Sequence, residues 1–299
     1  MKVLVTGARG FVGHAIVENI LSETDWTVFY EARPPKPLDR LEEIQVPGRV
    51  LLYDGEHVDV IIHAAGNPSA LACIAEPKEA IQSNIEETFR ILELARKHKV
   101  SRVVYVSTCE VYGNMAGRTL ENSFCEAINM YSATKLAAEH MCTAYSHSYN
   151  VPYSIVRLSN TFGPRCQPER FPVVAIKKIL NNEKIKIHCD TEGHPIRRRW
   201  APIRDVASMV VFILEKCPPG EIYNLTGENI SNLVFLNYIS AAVGKASEYS
   251  IESENIEGRL VYSDAPPNRI LARGWRASVS FEERVKEFVR WTLDHPEWQ

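Results

Sequence analysis

Lys2-Val3-Leu4-Val5-Thr6-Gly7-Ala8-Arg9-Gly10-Phe11-Val12-Gly13 is the stretch whose reading decides the fold. It opens as an apolar run of buried-strand type and passes at once into three glycines. From His14 to Leu21 the apolar residues Ala15, Ile16, Ile20 and Leu21 recur at helical spacing. Strand, glycine turn and helix in that order form the context of a dinucleotide-binding fingerprint. Gly7, Gly10 and Gly13 then serve a tight turn, close backbone approach to a pyrophosphate and close packing of helix on sheet. The pyrophosphate is expected on the free N–H groups and positive end of the helix, at Phe11 and Val12.

Trp26-Thr27-Val28-Phe29-Tyr30 reads as the second strand, with Glu31 at its end. An acid about twenty residues past the glycines usually accepts from the adenosine ribose hydroxyls. A carboxylate there repels the extra phosphate of NADP, so NAD is expected over NADP. Arg33 and Arg9 point the other way, since either could pair with that phosphate. Pro34 to Gly55 contains four prolines and no clear crossover helix. Val50–Tyr53 is expected as the third strand and Val58–His63 as the fourth, with His63 a packed strand residue. Ala64-Ala65-Gly66 leaves room for a cofactor across the strand end.

A helix from about Pro77 to Lys99 carries Asn84, whose plain reading is a surface or capping amide. Arg102–Val106 is the central strand. Ser107-Thr108-Cys109-Glu110-Val111-Tyr112-Gly113 begins where that strand should end, the position at which open α/β sheets hold ligands. Tyr131 and Lys135 follow, four apart on one helix face. An ammonium beside a phenol lowers the phenol's pKa from about ten, which makes it a usable base near neutrality. Pro152–Leu158 and Glu221–Leu225 read as further strands, Val173–Leu180 as a short helix and Phe281–Leu293 as an amphipathic terminal helix. The alternation of strands and helices predicts a doubly wound parallel sheet.

The 299 residues suffice for one large domain and a smaller one. The expected division is 1–165 for the dinucleotide-binding part, rejoined by 221–225, and 166–299 for an interwoven C-terminal α/β substrate domain. A net charge of -3 gives no reason to expect nucleic acid or an anionic membrane as partner. No apolar run approaches a membrane span. The amino terminus leaves no room for a signal peptide, and seven scattered cysteines without a CxxC pair predict reduced thiols, no zinc site and a cytoplasmic home.

Together these motifs resemble the extended short-chain dehydrogenase/reductase family, in its nucleotide-sugar epimerase/dehydratase branch. The resemblance runs through Thr6–Gly13, Glu31, Asn84, Ser107–Gly113, Tyr131–Lys135, Arg157–Pro164, Arg198-Arg199-Trp200 and Gly274-Trp275-Arg276. It implies a Rossmann domain holding NAD(P), a smaller domain gripping a nucleoside diphosphate sugar, and a homodimer paired through the helices of Phe89 and Tyr131. It further implies that Tyr131 removes the C4 hydroxyl proton of the sugar as hydride leaves C4. Thr108 would hydrogen-bond the same hydroxyl and Lys135 would hold the nicotinamide ribose. Asn160, Arg198 and Arg259 match positions that contact the sugar nucleotide. Arg199 stands where an acid is common, so the contacts around Arg198 are expected to be rearranged.

The 4,6-dehydratases of this branch read Thr-Asp-Glu where this chain has Thr108-Cys109-Glu110, and plain 4-epimerases usually lack the Glu. The Thr-Cys-Glu version resembles the 5,6-dehydratases that act on UDP-GlcNAc in tunicamycin biosynthesis. The chemistry also follows from the residues. Once C4 is a ketone the C5 hydrogen is acidic, and Glu110 can take it. Loss of the C6 hydroxyl needs an acid, and a thiol of pKa near 8.5 keeps its proton at neutral pH. Cys109 is therefore either that acid or a small buried filler. The expected function is an NAD-dependent nucleotide-sugar dehydratase, with a 4-epimerase and a catalytically silent NAD(P) sensor as alternatives.

Overall fold

A computed structural model describes residues 1–31, 49–114, 117–190, 192–253 and 264–298. Arg33, Arg259 and most of the proline-rich stretch after Pro34 lie outside the described residues. The chain begins with β1 (Lys2–Thr6), α1 (Phe11–Glu23), β2 (Thr27–Tyr30), β3 (Val50–Leu52) and β4 (Val60–His63). Next come α2 (Ala70–Ala75), α3 (Pro77–Ile81), a π-helical turn (Gln82–Glu86) and α4 (Glu87–His98). β5 (Arg102–Thr108), a 3₁₀ turn (Cys109–Tyr112), α5 (Met130–Tyr149), β6 (Tyr153–Leu158), β7 (Asn160–Phe162) and α6 (Phe171–Leu180) follow. The remainder is β8 (Ile185–Cys189), β9 (Arg197–Pro202), α7 (Ile203–Lys216), β10 (Glu221–Leu225), β11 (Glu228–Ser231), α8 (Asn232–Val243), β12 (Tyr249–Ser253), α9 (Asn268–Ala272) and α10 (Phe281–Asp294).

Seven strands form one parallel sheet in the order β3-β2-β1-β4-β5-β6-β10. This is a Rossmann arrangement extended by one strand, and its order reverses between β1 and β4. Alternation along β1 sends Val3 and Val5 into a core shared with Ile16 and Ile20 of α1 and with Val206 and Val210 of α7. Leu4 points to the opposite face, among Leu92 of α4, Tyr105 of β5 and Cys142 of α5. Both faces are covered, which is why the strands read as unbroken apolar runs.

Strand Glu221–Leu225 does return to the sheet, beside β6. The sequence pattern does not single out α7, because Val210-Val211-Phe212-Ile213-Leu214 is apolar without interruption and masks the helical period. Two small sheets, β11-β9-β7 and β12-β8, lie in the later half of the chain. Phe162, Trp200, Phe235, Phe281 and Phe288 form a continuous aromatic cluster around them, with ring centroids 4.6 to 5.8 Å apart. That cluster joins β7 and β9 to α8 and α10, so the floor under Asn160 and Arg198 is rigid.

Candidate functional site

The carboxyl ends of β1 and β4 meet where the strand order reverses. Gly7 has φ +69°, and a Cβ there would lie 2.7 Å from the backbone nitrogen of Ala65. Only glycine allows both the left-handed turn and that contact. Gly10 precedes α1 without a side-chain cap, which leaves the first N–H groups of Phe11, Val12 and Gly13 for an anion. Gly66, at φ +140°, faces Asn84, whose Oδ1 would sit 2.6 Å from a Cβ at that position. This cradle of missing side chains and open N–H groups fits a dinucleotide lying across the strand ends. NAD, when bound there, accepts a hydride from a substrate carbon and can return it.

Asn84 is not the surface or capping amide of its plain reading. It is 1% exposed in the π-helical turn. Its Oδ1 accepts from the Asn67 N–H at 2.8 Å, and its Nδ2 donates to Thr134 Oγ1 at 3.0 Å. It thereby ties the loop after β4 to the first turns of α5. His63 is the packed strand residue expected, bonded to Thr6 Oγ1 at 2.6 Å and to Thr88 Oγ1 at 3.1 Å. Glu31 stands at the end of β2 and pairs with Arg90 of α4 at 2.6 Å. The Arg9 guanidinium lies over the Tyr30 ring at 5.6 Å.

A cavity of roughly 380 Å³ opens beside this cradle, bordered by Val12, Ala64, Ala65 and Gly66 on one side and by Thr108, Cys109, Glu110, Tyr131 and Lys135 on another. Asn160, Arg198 and Arg170 border its far wall. Residues predicted separately on β5, α5, β7 and β9 are thus brought to one space. Asn129 and Ser132 form a reciprocal capping box that starts α5, which puts Tyr131 in its first turn, at the positive end of the helix.

Tyr131 and Lys135 border the same cavity, each with its own surroundings. Lys135 Nζ donates to the Val106 carbonyl at 2.6 Å and lies 4.4 Å from the Tyr105 ring centroid. Burial pushes the Tyr131 phenol well up, and the charge of Glu110 adds to the rise. A hydrogen bond with Thr108 and the charge of Arg170 oppose it. Lys135 itself is pushed down to about 8 by burial, against the pull of Glu139. Its ammonium keeps further N–H groups for an acceptor such as a ribose hydroxyl.

Cys109 borders the cavity but is 4% exposed, packed with Val111, Tyr112 and Ala265. Its thiol donates to the Arg157 carbonyl at 3.5 Å, and burial pushes its pKa far up. Arg199, expected to disturb its surroundings, binds Asp264 at 2.6 Å and the Gly227 carbonyl at 2.7 Å. Arg170 is a cavity residue to which the sequence assigns no role. Pro172 in the first turn of α6 marks that helix start, and Arg170 is its N-cap residue.

Residues 3–226 match the model of the NAD dependent epimerase/dehydratase family. The chain belongs to that family. NAD is its cofactor, in keeping with the cradle described above. The low-salt glycan biosynthesis protein Agl12 of Haloferax volcanii is 28% identical over 99% of this chain and 100% of its own length. The dTDP-D-glucose 4,6-dehydratase of Mus musculus is 28% identical over 97% of this chain and 88% of its own. The structure of the UDP-glucose 4-epimerase of Thermus thermophilus in complex with NAD superimposes with a TM-score of 0.84 at 25% identity, over 99% of this chain and 100% of that one. The family relatives thus include both nucleotide-sugar dehydratases and 4-epimerases.

Proposed function

We propose that this protein is an NAD-dependent nucleotide-sugar dehydratase that oxidises C4 and then eliminates water across C5 and C6. The observation that carries the reading is Glu110, which borders the cavity beside Thr108 and Tyr131 and lies close enough for its charge to raise the Tyr131 phenol. A sugar whose C4 hydroxyl meets Tyr131 and Thr108 brings its C5 within reach of that carboxylate. Tyr131 acts as its phenolate, a form that the Thr108 hydroxyl, the charge of Arg170 and the positive end of α5 favour, and takes the C4 hydroxyl proton as hydride leaves C4. The ketone acidifies C5–H, Glu110 removes that proton, and the C6 hydroxyl departs as water with the proton that Glu110 then returns to it. Asn160, Arg198 and Arg170 supply an amide and cations for the nucleoside diphosphate, a task suited to the planar guanidinium. Sharing Thr-Cys-Glu with 5,6-dehydratases favours return of the hydride to C4 and a 5,6-ene product.

A 4-epimerase is the second reading, and one observation favours it. The Cys109 thiol borders the cavity, but its hydrogen goes to the Arg157 backbone carbonyl and not toward a C6 hydroxyl. In that reading Glu110 only shapes the pocket. A silent NAD(P) sensor would have no need of Thr108, Tyr131 and Lys135 around one cavity. Mass spectrometry after incubation with UDP-, dTDP- and GDP-sugars separates the three. A product lighter by one water supports dehydration, equal mass with altered mobility supports epimerisation, and no turnover supports the sensor.

The same reading includes a homodimer. Helices α4 and α5 lie side by side, and Phe89 on α4 is 51% exposed. A second copy would cover that ring, and sedimentation of the purified protein checks this.

A further inference from the structure

Tyr131, Lys135 and Glu139 succeed one another at single-turn spacing on α5. The first reaches the cavity and the second the Val106 carbonyl. Glu139, 3% exposed, reaches the next residue of the same strand: Ser107 Oγ donates to its Oε1 at 2.5 Å. Ser107 is the register neighbour of Arg157 on β6. The Arg157 guanidinium holds the same carboxylate side-on, Nε to Oε1 at 3.0 Å and Nη2 to Oε2 at 2.6 Å. It also stacks on the Tyr112 ring at 4.7 Å, and its own carbonyl accepts the Cys109 thiol.

A buried ion pair contributes little net stability, since desolvation offsets the attraction, and an apolar pair could fill the same volume. What this pair does provide is geometry. Arg157 and Ser107 fix the Glu139 carboxylate in one orientation, and through it α5 is fixed against Ser107 of β5, one residue beyond the Val106 carbonyl that Lys135 holds. Thr108 is the next residue. We propose that Glu139 is a positioning residue for C4 oxidation, clamping the end of β5 to α5 through Ser107 and Arg157 so that Thr108 and Tyr131 meet one hydroxyl. The inference rests on the reading of Thr108 and Tyr131 as the C4 redox pair, and it is independent of whether dehydration or epimerisation follows.

Ser107→Ala removes the clamp's link to β5 while leaving the ion pair whole, and Glu139→Gln breaks the pair. The measurement is the single-turnover rate of reduction of bound NAD with UDP-glucose, UDP-N-acetylglucosamine or dTDP-glucose, each also deuterated at C4. Misplacement near 1 Å costs up to about a hundredfold. Ser107→Ala should therefore lower the rate by about tenfold, with unchanged KM and a larger C4 deuterium effect. Glu139→Gln should lower it further, and the double variant should match Glu139→Gln alone because both changes cut one path. A purely structural role would reduce the fraction of active protein without touching the rate per site or the isotope effect. Wild-type rate and isotope effect in Ser107→Ala overturn the proposal even if Glu139→Gln does not fold. Additive losses in the double variant overturn it as well. Wild-type protein that reduces NAD with none of the UDP-, dTDP- and GDP-sugars overturns the redox reading and this inference with it.

Discussion

Lys135 Nζ donates to the Val106 carbonyl oxygen at 2.6 Å, so the ammonium is bound to the central strand and not to the phenol one turn away. The spacing of Tyr131 and Lys135 places both on one helix face. It does not decide which neighbour the longer side chain chooses. The Val106 carbonyl near the end of β5 accepts from the ammonium, which lies 4.4 Å from the Tyr105 ring centroid.

That choice has a pH signature. Burial lowers Lys135 to about 8 from an ordinary 10.5. Between those values the unfolded chain binds more protons than the folded one, so this residue's contribution to stability rises with pH across the window. Below pH 8 the folded protein carries the full cost of a buried ammonium. Comparing urea midpoints of the NAD-free wild type with Lys135→Met should show the balance moving toward wild type from pH 8 to 10.5. A constant difference contradicts the buried-ammonium account. The variant should also lose about a hundredfold or more in C4 oxidation.

Asn84→Ala removes the acceptor of the Asn67 N–H and a donor to Thr134. Unmade buried hydrogen bonds cost about 1–3 kcal/mol, so the variant should be destabilised by that amount in urea. NAD affinity should fall too, because the loop through Gly66 loses its anchor. Equilibrium dialysis with labelled NAD measures the second effect.

Cys109→Ala weighs the two roles of the thiol. With its hydrogen on the Arg157 carbonyl and its sulfur packed against Tyr112, the thiol's loss should spare C4 oxidation and slow elimination less than about tenfold. Stability should fall by about 1 kcal/mol from lost packing. A hundredfold loss of elimination in rapid-quench assays, with NAD reduction intact, would instead make Cys109 the proton donor.

The middle of the sheet was legible from the sequence because β1, β4 and β5 are buried nearly throughout, and β1 and β5 end in chemically marked turns. Thr6-Gly7 and Thr108 announce where ligands sit. The later half was harder to read. Helix α7 has an apolar run, Val210–Leu214, that extends round the helix, and β9 carries Arg197, Arg198 and Arg199 where a strand would be expected to alternate. Asn84 reads as a surface amide because its partners, Asn67 and Thr134, are distant in sequence. Arg170 carries no motif, and only its place before Pro172 hints at an N-cap.

The central claim is that Glu110 makes this scaffold a dehydratase, and Glu110→Gln tests it most directly. The measurement pairs reduced-nicotinamide absorbance with mass spectrometry of the sugar nucleotide in a single turnover. The account predicts that NAD becomes reduced and a 4-keto sugar accumulates, with water loss slowed by about a hundredfold or more. Water lost at the wild-type rate from Glu110→Gln would contradict it.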